Sequence, residues 1–234
     1  MRVKFIQTAD PSKYARLLEV SAPSTRAFCA LNGYQYEVFI GLKHGSHPWH
    51  ATFNRIDLLN EALEVGFDGW VVYLDADAFV VDLKFDFTTY LEQHAHAPMI
   101  ARAVTPEQAP TWNINAGVLL FNMSHPQARS LIRTWKRLFD LCRRAGLLRI
   151  PPQLAPINDQ MLLHFALRLE PDLIRTMRFE HPNFLNGAHA SFIAQFLLSD
   201  VQNFEQRIAL VQTRVAEAFA ASGINPNPYV SGDA

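Results

Sequence analysis

Trp70-Val71-Val72-Tyr73-Leu74-Asp75-Ala76-Asp77-Ala78-Phe79-Val80-Val81 carries five apolar residues into two carboxylates one residue apart, then turns apolar again. An apolar run bounded by Gly69 and Asp75 reads as a buried strand. Ligands of open α/β sheets sit at the carboxyl ends of such strands, which is where Asp75, Ala76 and Asp77 fall. Carboxylate oxygens suit hard cations such as Mg(II) or Mn(II), and these keep coordination positions open for phosphates. The stretch therefore implies a metal site and a diphosphate ligand.

Asp also ends strands as a plain turn residue. Against that, Phe79, Val80 and Val81 resume a strand at once and leave the acids between buried segments, where a carboxylate needs a partner or a metal. The pair also suits a phosphatase of the haloacid-dehalogenase type, whose first Asp forms an aspartyl-phosphate. That arrangement usually stands near the start of a chain with Thr or Val after it; here it stands a third of the way in, followed by Ala78-Phe79.

Upstream, Val3 to Thr8 reads as a first strand, and Pro23 opens a helix from Ser24 to Asn32 that Gly33 closes. Tyr36 to Ile40 forms a second strand. Phe53, Ile56, Leu59 and Leu63 give His50 to Val65 a helical spacing, with Gly66 as its stop. This β-α-β-α-β succession argues for a parallel, right-handed, Rossmann-like half. No Gly-x-Gly-x-x-Gly follows the first strand, so a dinucleotide fingerprint is absent. His44, His47 and His50 read as a loop rather than a zinc site, because Pro48 breaks any shared helix face.

Downstream, Thr88 to His96 reads as a short helix and Met99 to Ala103 as a strand, followed by a loop with Pro106 and Pro110. Asn113 and Asn115 lead into the strand Val118 to Asn122, with Gly117 permitting close approach of a ligand or simply forming a bulge. Pro126 to Ala145 is a helix, and the segment His125 to Arg149 around it carries Arg129, Arg133, Lys136, Arg137, Arg143, Arg144 and Arg149 against Asp140 alone. Such a run is ordinarily a solvated face, and a basic amphipathic helix also suits an anionic membrane surface. Pro151, Pro152 and Pro156 stiffen a loop into a helix that Asn158 or Asp159 caps. Capping gives no reason for Gln160. Ile174 to Met177 and Phe179 to Phe184 read as extended, and Ser191 to Leu198 as a final apolar segment. Asp200 is expected to cap a long terminal helix, after which Ser222-Gly223, Pro226 and Pro228 end order.

The 234 residues suffice for one well-buried α/β domain. Apolar residues make up 49% and charged residues 18%, below the roughly 25% usual for soluble domains, so some apolar surface is expected. A formal charge of −1 gives no global drive toward nucleic acid. No apolar run reaches membrane-spanning length and the start lacks a secretory pattern, so a cytoplasmic protein is expected, with peripheral contact at the inner face of a membrane as its one membrane option. Cys29 and Cys142 lack metal-type spacing and read as buried free thiols.

Phe28-Cys29-Ala30-Leu31-Asn32-Gly33-Tyr34, Asp75-Ala76-Asp77, Asn115-Ala116-Gly117 through Asn122, and Asp159-Gln160 occur in an order and type that resemble the GT-A glycosyltransferases. Within them the chain is most similar to the family of the yeast mannan galactosyltransferases and plant xyloglucan xylosyltransferases. The resemblance implies a single GT-A domain over residues 1–222, a Rossmann-like mixed sheet flanked by helices, with residues 223–234 as a flexible tail. It implies transfer of a sugar from a nucleotide diphosphosugar, most often UDP-linked, to a glycan or lipid-linked hydroxyl with retention. A degenerate module that binds nucleotide sugar or glycan without turnover is the alternative within the same fold.

The resemblance also assigns roles. Asp75 and Asp77 would hold Mn(II) or Mg(II) against the leaving diphosphate, with Arg55 reaching toward the donor. Thr8, Ala9, Asp10 and Tyr14 would border nucleobase and ribose, Tyr14 offering a stacking face. Asn115, Ala116 and Gly117 would form a loop beside the donor sugar. Asp159 would bind sugar hydroxyls and Gln160 would sit beside the anomeric carbon. Where relatives close the metal site with His, this chain reads Ala194-Gln195-Phe196, leaving Gln195 and His189 as candidates for the third ligand. The basic residue that relatives carry nearby is missing, a loss that Arg55 or Arg102 would offset.

Overall fold

The computed structural model describes residues 1–151, 154, 157–197 and 200–230. Most of the proline loop expected around Pro152 and Pro156 lies outside these residues, as does Leu198.

The elements run β1 (Val3–Ala9), α1 (Ala15–Asn32), β2 (Gln35–Ile40), α2 (Asn54–Glu64), β3 (Trp70–Asp75), β4 (Ala78–Val80), α3 (Phe87–Gln93), β5 (Met99–Ala103), β6 (Ile114–Asn122), α4 (Pro126–Arg144), α5 (Asp159–Arg168), α6 (Pro171–Thr176), β7 (Arg178–Phe179), β8 (Leu185–Gly187), β9 (Ile193–Gln195), α7 (Phe204–Ser222) and α8 (Asn227–Val230). The main sheet has the order β2-β1-β3-β6-β5-β7. β2, β1 and β3 are parallel, as the β-α-β-α-β succession requires, and β6 runs against both of its neighbours. A second sheet, β4-β9-β8, stands at the carboxyl end of β3. The two strands on either side of Asp75 and Asp77 therefore belong to different sheets, and the acids occupy the turn between them.

Alternation along β3 divides the core. Val72 and Leu74 face one side, packed with Leu17, Phe28, Phe87, Phe192 and Val215, whereas Val71 and Tyr73 face the other with Ile56, Leu59, Trp135, Phe139 and Leu163. Period-two burial on both faces explains the uninterrupted apolar run. Gly33 closes α1 with φ +68°, a left-handed cap that glycine takes without a Cβ penalty.

Several boundaries differ from the sequence reading. α1 begins at Ala15 and keeps Pro23 inside it. Its start is fixed by Asp10, whose carboxylate accepts from the backbone N–H groups of Ser12, Lys13 and Tyr14. Burial of Leu17, Leu18 and Ala22 against the sheet outweighs the ~3 kcal/mol that an interior proline costs. Residues 171–176 are helical rather than extended, with Pro171 at the favoured first position. α7 is capped by Asn203, which accepts from the Gln206 N–H, while Asp200 accepts from the Leu197 N–H. Residues 223–230 pack back onto the domain: Arg26 donates to the Tyr229 carbonyl and the Tyr229 ring stacks on Phe219. Cys29 is buried and Cys142 half-buried, both free. No helix among the described residues is long and apolar enough to cross a membrane.

Candidate active site

The Asp75–Ala78 turn is held from beneath by a buried polar residue of β1. Gln7 of β1 donates its amide to the carbonyls of Asp75 (3.0 Å) and Ala78 (2.8 Å), and the Tyr36 hydroxyl donates to its oxygen at 2.7 Å. The Ser21 hydroxyl donates to the Ala76 carbonyl at 2.7 Å. Because these groups are buried, each would cost about 1–3 kcal/mol if left unpaired, so together they select this turn over its alternatives.

Two adjoining clefts open above the turn. One, of about 320 Å³, is bordered by Thr8, Ala9, Asp10, Tyr14, Trp49 and the three residues Asp75, Ala76 and Asp77. The other, of about 220 Å³, is bordered by Asn115, Ala116, Gly117, Asp159, Gln160 and Gln195. Arg55 and Asp75 belong to both. Apart from His189 and Arg102, the residues singled out in sequence border this divided cavity, with Arg55 and Asp75 at the division.

Arg55 of α2 ties the division together. It donates to Asp75 Oδ1 at 2.6 Å and to the Ala116 carbonyl, pairs with Asp159 Oδ2 at 3.1 Å, and lies over the Tyr73 ring. Burial opposes its charge, but Asp159 and Asp75 outweigh that and hold the guanidinium above its ordinary pKa. Burial pushes Asp75 up to about 6 against the pull of Arg55, and burial likewise raises Asp77. Asp159 also accepts from the Thr52 hydroxyl.

Gln195, at the end of β9, donates its amide to Asp77 Oδ1 at 2.7 Å and Asp75 Oδ2 at 3.3 Å. Its Oε1 is buried without a partner and fills the space a Gly117 Cβ would occupy, 2.1 Å from that position. Gly117 therefore makes room for a side chain rather than for a ligand's backbone contact. These residues would suit a hard divalent cation: with its amide turned so that the oxygen faces the two carboxylates, Gln195 would complete an all-oxygen donor group with Asp75 and Asp77. Gln195 is the candidate that touches the acid pair, while His189 lies exposed in the turn after β8. Among the described residues no three His, Cys, Asp or Glu side chains form a metal-binding group. His50 Nδ1 accepts from the backbone N–H groups of Ser46 and His47, so this ring shapes its own loop.

Asn115, Ala116 and Gly117 lie within β6 rather than in a loop. Asn115 Oδ1 accepts from the Gly117 N–H and from the Asn186 amide, and the Asn186 carbonyl accepts from Arg102. Arg102 thus braces this wall. Gln160, on the wall of the second cleft, accepts the Ala116 N–H at 2.9 Å, which fixes its amide orientation and leaves the oxygen one further lone pair. Asn158 caps α5 through the Met161 N–H, which frees Asp159 from capping. Gln7, Ser21, Thr52 and Arg207 escaped the sequence reading. A glutamine between Ile6 and Thr8 in the first strand was the available signal for Gln7; Arg207 stands on the distant helix α7 and gave none.

Neither a family model nor a curated protein matches the chain in sequence. Solved structures do. A glycosyltransferase involved in the glycosylation of the major capsid of PBCV-1 superposes with a TM-score of 0.65, covering 91% of this chain and 100% of its own at 13% identity. The chain has the GT-A glycosyltransferase fold. GlyE of Streptococcus pneumoniae TIGR4 shares it with a TM-score of 0.52 at 17% identity, covering 97% of this chain and 66% of its own. The galactosyltransferase LgtC, solved with donor and acceptor sugar analogs, gives 0.50 at 13% identity over 90% and 95%. In the GT-A frame of this chain the acid pair ends the third strand, at the edge where α/β sheets bind ligands.

Proposed function

We propose that the chain transfers a hexose or pentose from a UDP-linked sugar to a glycan or lipid-linked hydroxyl, with retention and with Mn(II) or Mg(II) at Asp75, Asp77 and Gln195. The observation that carries this reading is the convergence of Asp75, Asp77, Gln195 and Arg55 on the boundary between two clefts. The boundary is where a sugar–phosphate bond would lie, with a nucleotide on the Tyr14 side and a sugar on the Asn115 side.

A bound cation supplies positive charge for the leaving diphosphate. The remaining work falls to the chain. Arg55 has one N–H on each terminal nitrogen beyond its described bonds, and a guanidinium already anchored on three sides adds fixed positive charge at no reorganisation cost. Tyr14 presents a ring to the base, and the Asp10 turn shapes the ribose end. Gln160, anchored by Ala116, offers amide-oxygen density to a developing oxocarbenium centre. The departing diphosphate takes the acceptor proton, so no protein base is needed.

Incubation with a panel of UDP-sugars, following UDP release with and without chelator, tests the proposal. Release that chelator abolishes, with a product of retained anomeric configuration by NMR, supports it. Cleavage of phosphomonoesters with a trapped acyl-phosphate and no UDP release would favour the phosphatase reading. The second reading, binding without turnover, is favoured by one observation: each of the four oxygens of the two carboxylates already has a guanidinium or amide partner.

A further inference from the structure

Arg207, in the opening turns of α7, reaches the acid pair from an element remote in sequence. It is 3% exposed. Its guanidinium pairs with Asp77 Oδ2 at 3.3 Å and donates to the Tyr14 hydroxyl at 3.2 Å, with its carbon 5.4 Å from the Tyr14 ring centre and 5.6 Å from that of Phe204. Its Nε is buried without a partner. A cation near a helix N-terminus opposes the helix dipole, and a buried guanidinium carries a desolvation penalty. Both costs are offset at one place, the carboxylate of Asp77.

We propose that Arg207 is a positioning residue that sets how Asp77 meets a cation and couples that meeting to the nucleotide side of the cavity. The inference rests on the donor-site reading above. With Oδ2 held by Arg207, Asp77 turns Oδ1 alone toward Gln195 and the shared space, so it serves as a one-oxygen ligand. Around the acid pair, Asp75, Asp77 and Asp159 bring three negative charges and Arg55 and Arg207 two positive ones, which leaves this end of the site one charge negative. That balance weakens a free divalent cation and favours a cation arriving with a diphosphate. The contact with Tyr14 fixes the ring offered to the base in the same movement.

Loss of Arg207 therefore has effects of opposite sign. Without its charge the site becomes two charges negative and Asp77 recovers its second oxygen, so Mn(II) alone binds more tightly. UDP loses a fixed cation and an ordered Tyr14, so it binds more weakly. A purely structural role would weaken both.

The test measures Mn(II) binding without nucleotide, from the electron paramagnetic resonance of free Mn(II), and UDP binding at saturating Mn(II) by calorimetry. Wild type, Arg207→Met and Arg207→Lys are compared after far-UV circular dichroism confirms folding. Arg207→Met is expected to bind Mn(II) about tenfold more tightly and UDP about tenfold more weakly. Arg207→Lys keeps the charge but loses the two-pronged contact, so its Mn(II) affinity stays at the wild-type value while UDP binding falls. Arg207→Met with weaker or unchanged Mn(II) binding overturns the proposal, as does a wild type that binds no Mn(II). If Arg207→Met does not fold, Arg207→Lys decides, and a changed Mn(II) affinity there contradicts the proposal. Wild type that binds Mn(II) but no UDP removes the donor reading and the nucleotide half of the inference, while the Mn(II) comparison still judges the role at Asp77.

Discussion

Two side chains show how single atoms set this site. Gly117 lacks the Cβ that would collide with the Gln195 amide. Gly117→Ala is therefore expected to push Gln195 off the acid pair and to weaken Mn(II)-dependent UDP binding about tenfold or more in calorimetry. Its thermal midpoint should move little, because the displaced group is the end of a flexible chain. Asp10 is held below the usual carboxylate range: burial opposes the shift, but the Ser12 hydroxyl and the N–H groups of Lys13, Tyr14 and Ser12 outweigh it. A carboxyl depressed in the folded state contributes stability fully above its unfolded pKa, near 3.9, and loses it as pH falls through the lower folded value. Urea unfolding should show Asp10→Ala destabilised by about 1–3 kcal/mol at pH 7. The gap to wild type should narrow below pH 4; a gap independent of pH would contradict the assignment. At this scale the acids were legible because carboxylates set between two apolar runs must find a partner or a metal. The duty of Gly117 was not, since the side chain it accommodates arrives from β9.

At the scale of elements, the site depends on where strands end and helices begin. β3 and β4 were readable from hydrophobic runs, and α5 from Asn158 and the periodic residues after it. The start of β6 was not: Asn115 and Gly117 have turn-forming chemistry, yet Ile114 pairs with Ala103 and the strand continues through both. α6 was missed because its short apolar pattern fits a strand as well, and tertiary packing of Leu173 decided the matter. Helix α4 supports the site through Trp135, fully buried, whose indole N–H donates to the Asp159 carbonyl at 3.1 Å. Trp135→Phe removes that bond and little volume. Its expected cost is about 1 kcal/mol in stability, together with reduced sugar transfer as Asp159 loses its anchor. Trp135→Ala should cost about 3–5 kcal/mol in denaturant unfolding. Equal activity of Trp135→Phe and wild type would show that α4 does not position Asp159.

For the whole molecule, the fold class followed from the alternation of strands and helices, whereas the second sheet and the closure by α7 depend on pairings between distant segments that periodicity does not encode. The charge distribution belongs to this scale. Arg129, Arg133, Arg137, Arg143 and Arg144 of α4 are exposed, while Lys136 is engaged with Asp140 at 2.6 Å and Asp57 at 3.5 Å. If the acceptor is lipid-linked, this face is expected to hold the protein on anionic vesicles at low salt and to release it as salt shortens the Debye length. Failure to cosediment with such vesicles would remove membrane docking. Whether the acid pair binds a nucleotide diphosphate through a cation is decided by titrating UDP into wild type and Asp75→Ala/Asp77→Ala with and without Mn(II). Binding is expected to require Mn(II) and to disappear in the double variant; no UDP binding by the wild type under either condition would contradict a cation-held diphosphate at the acid pair.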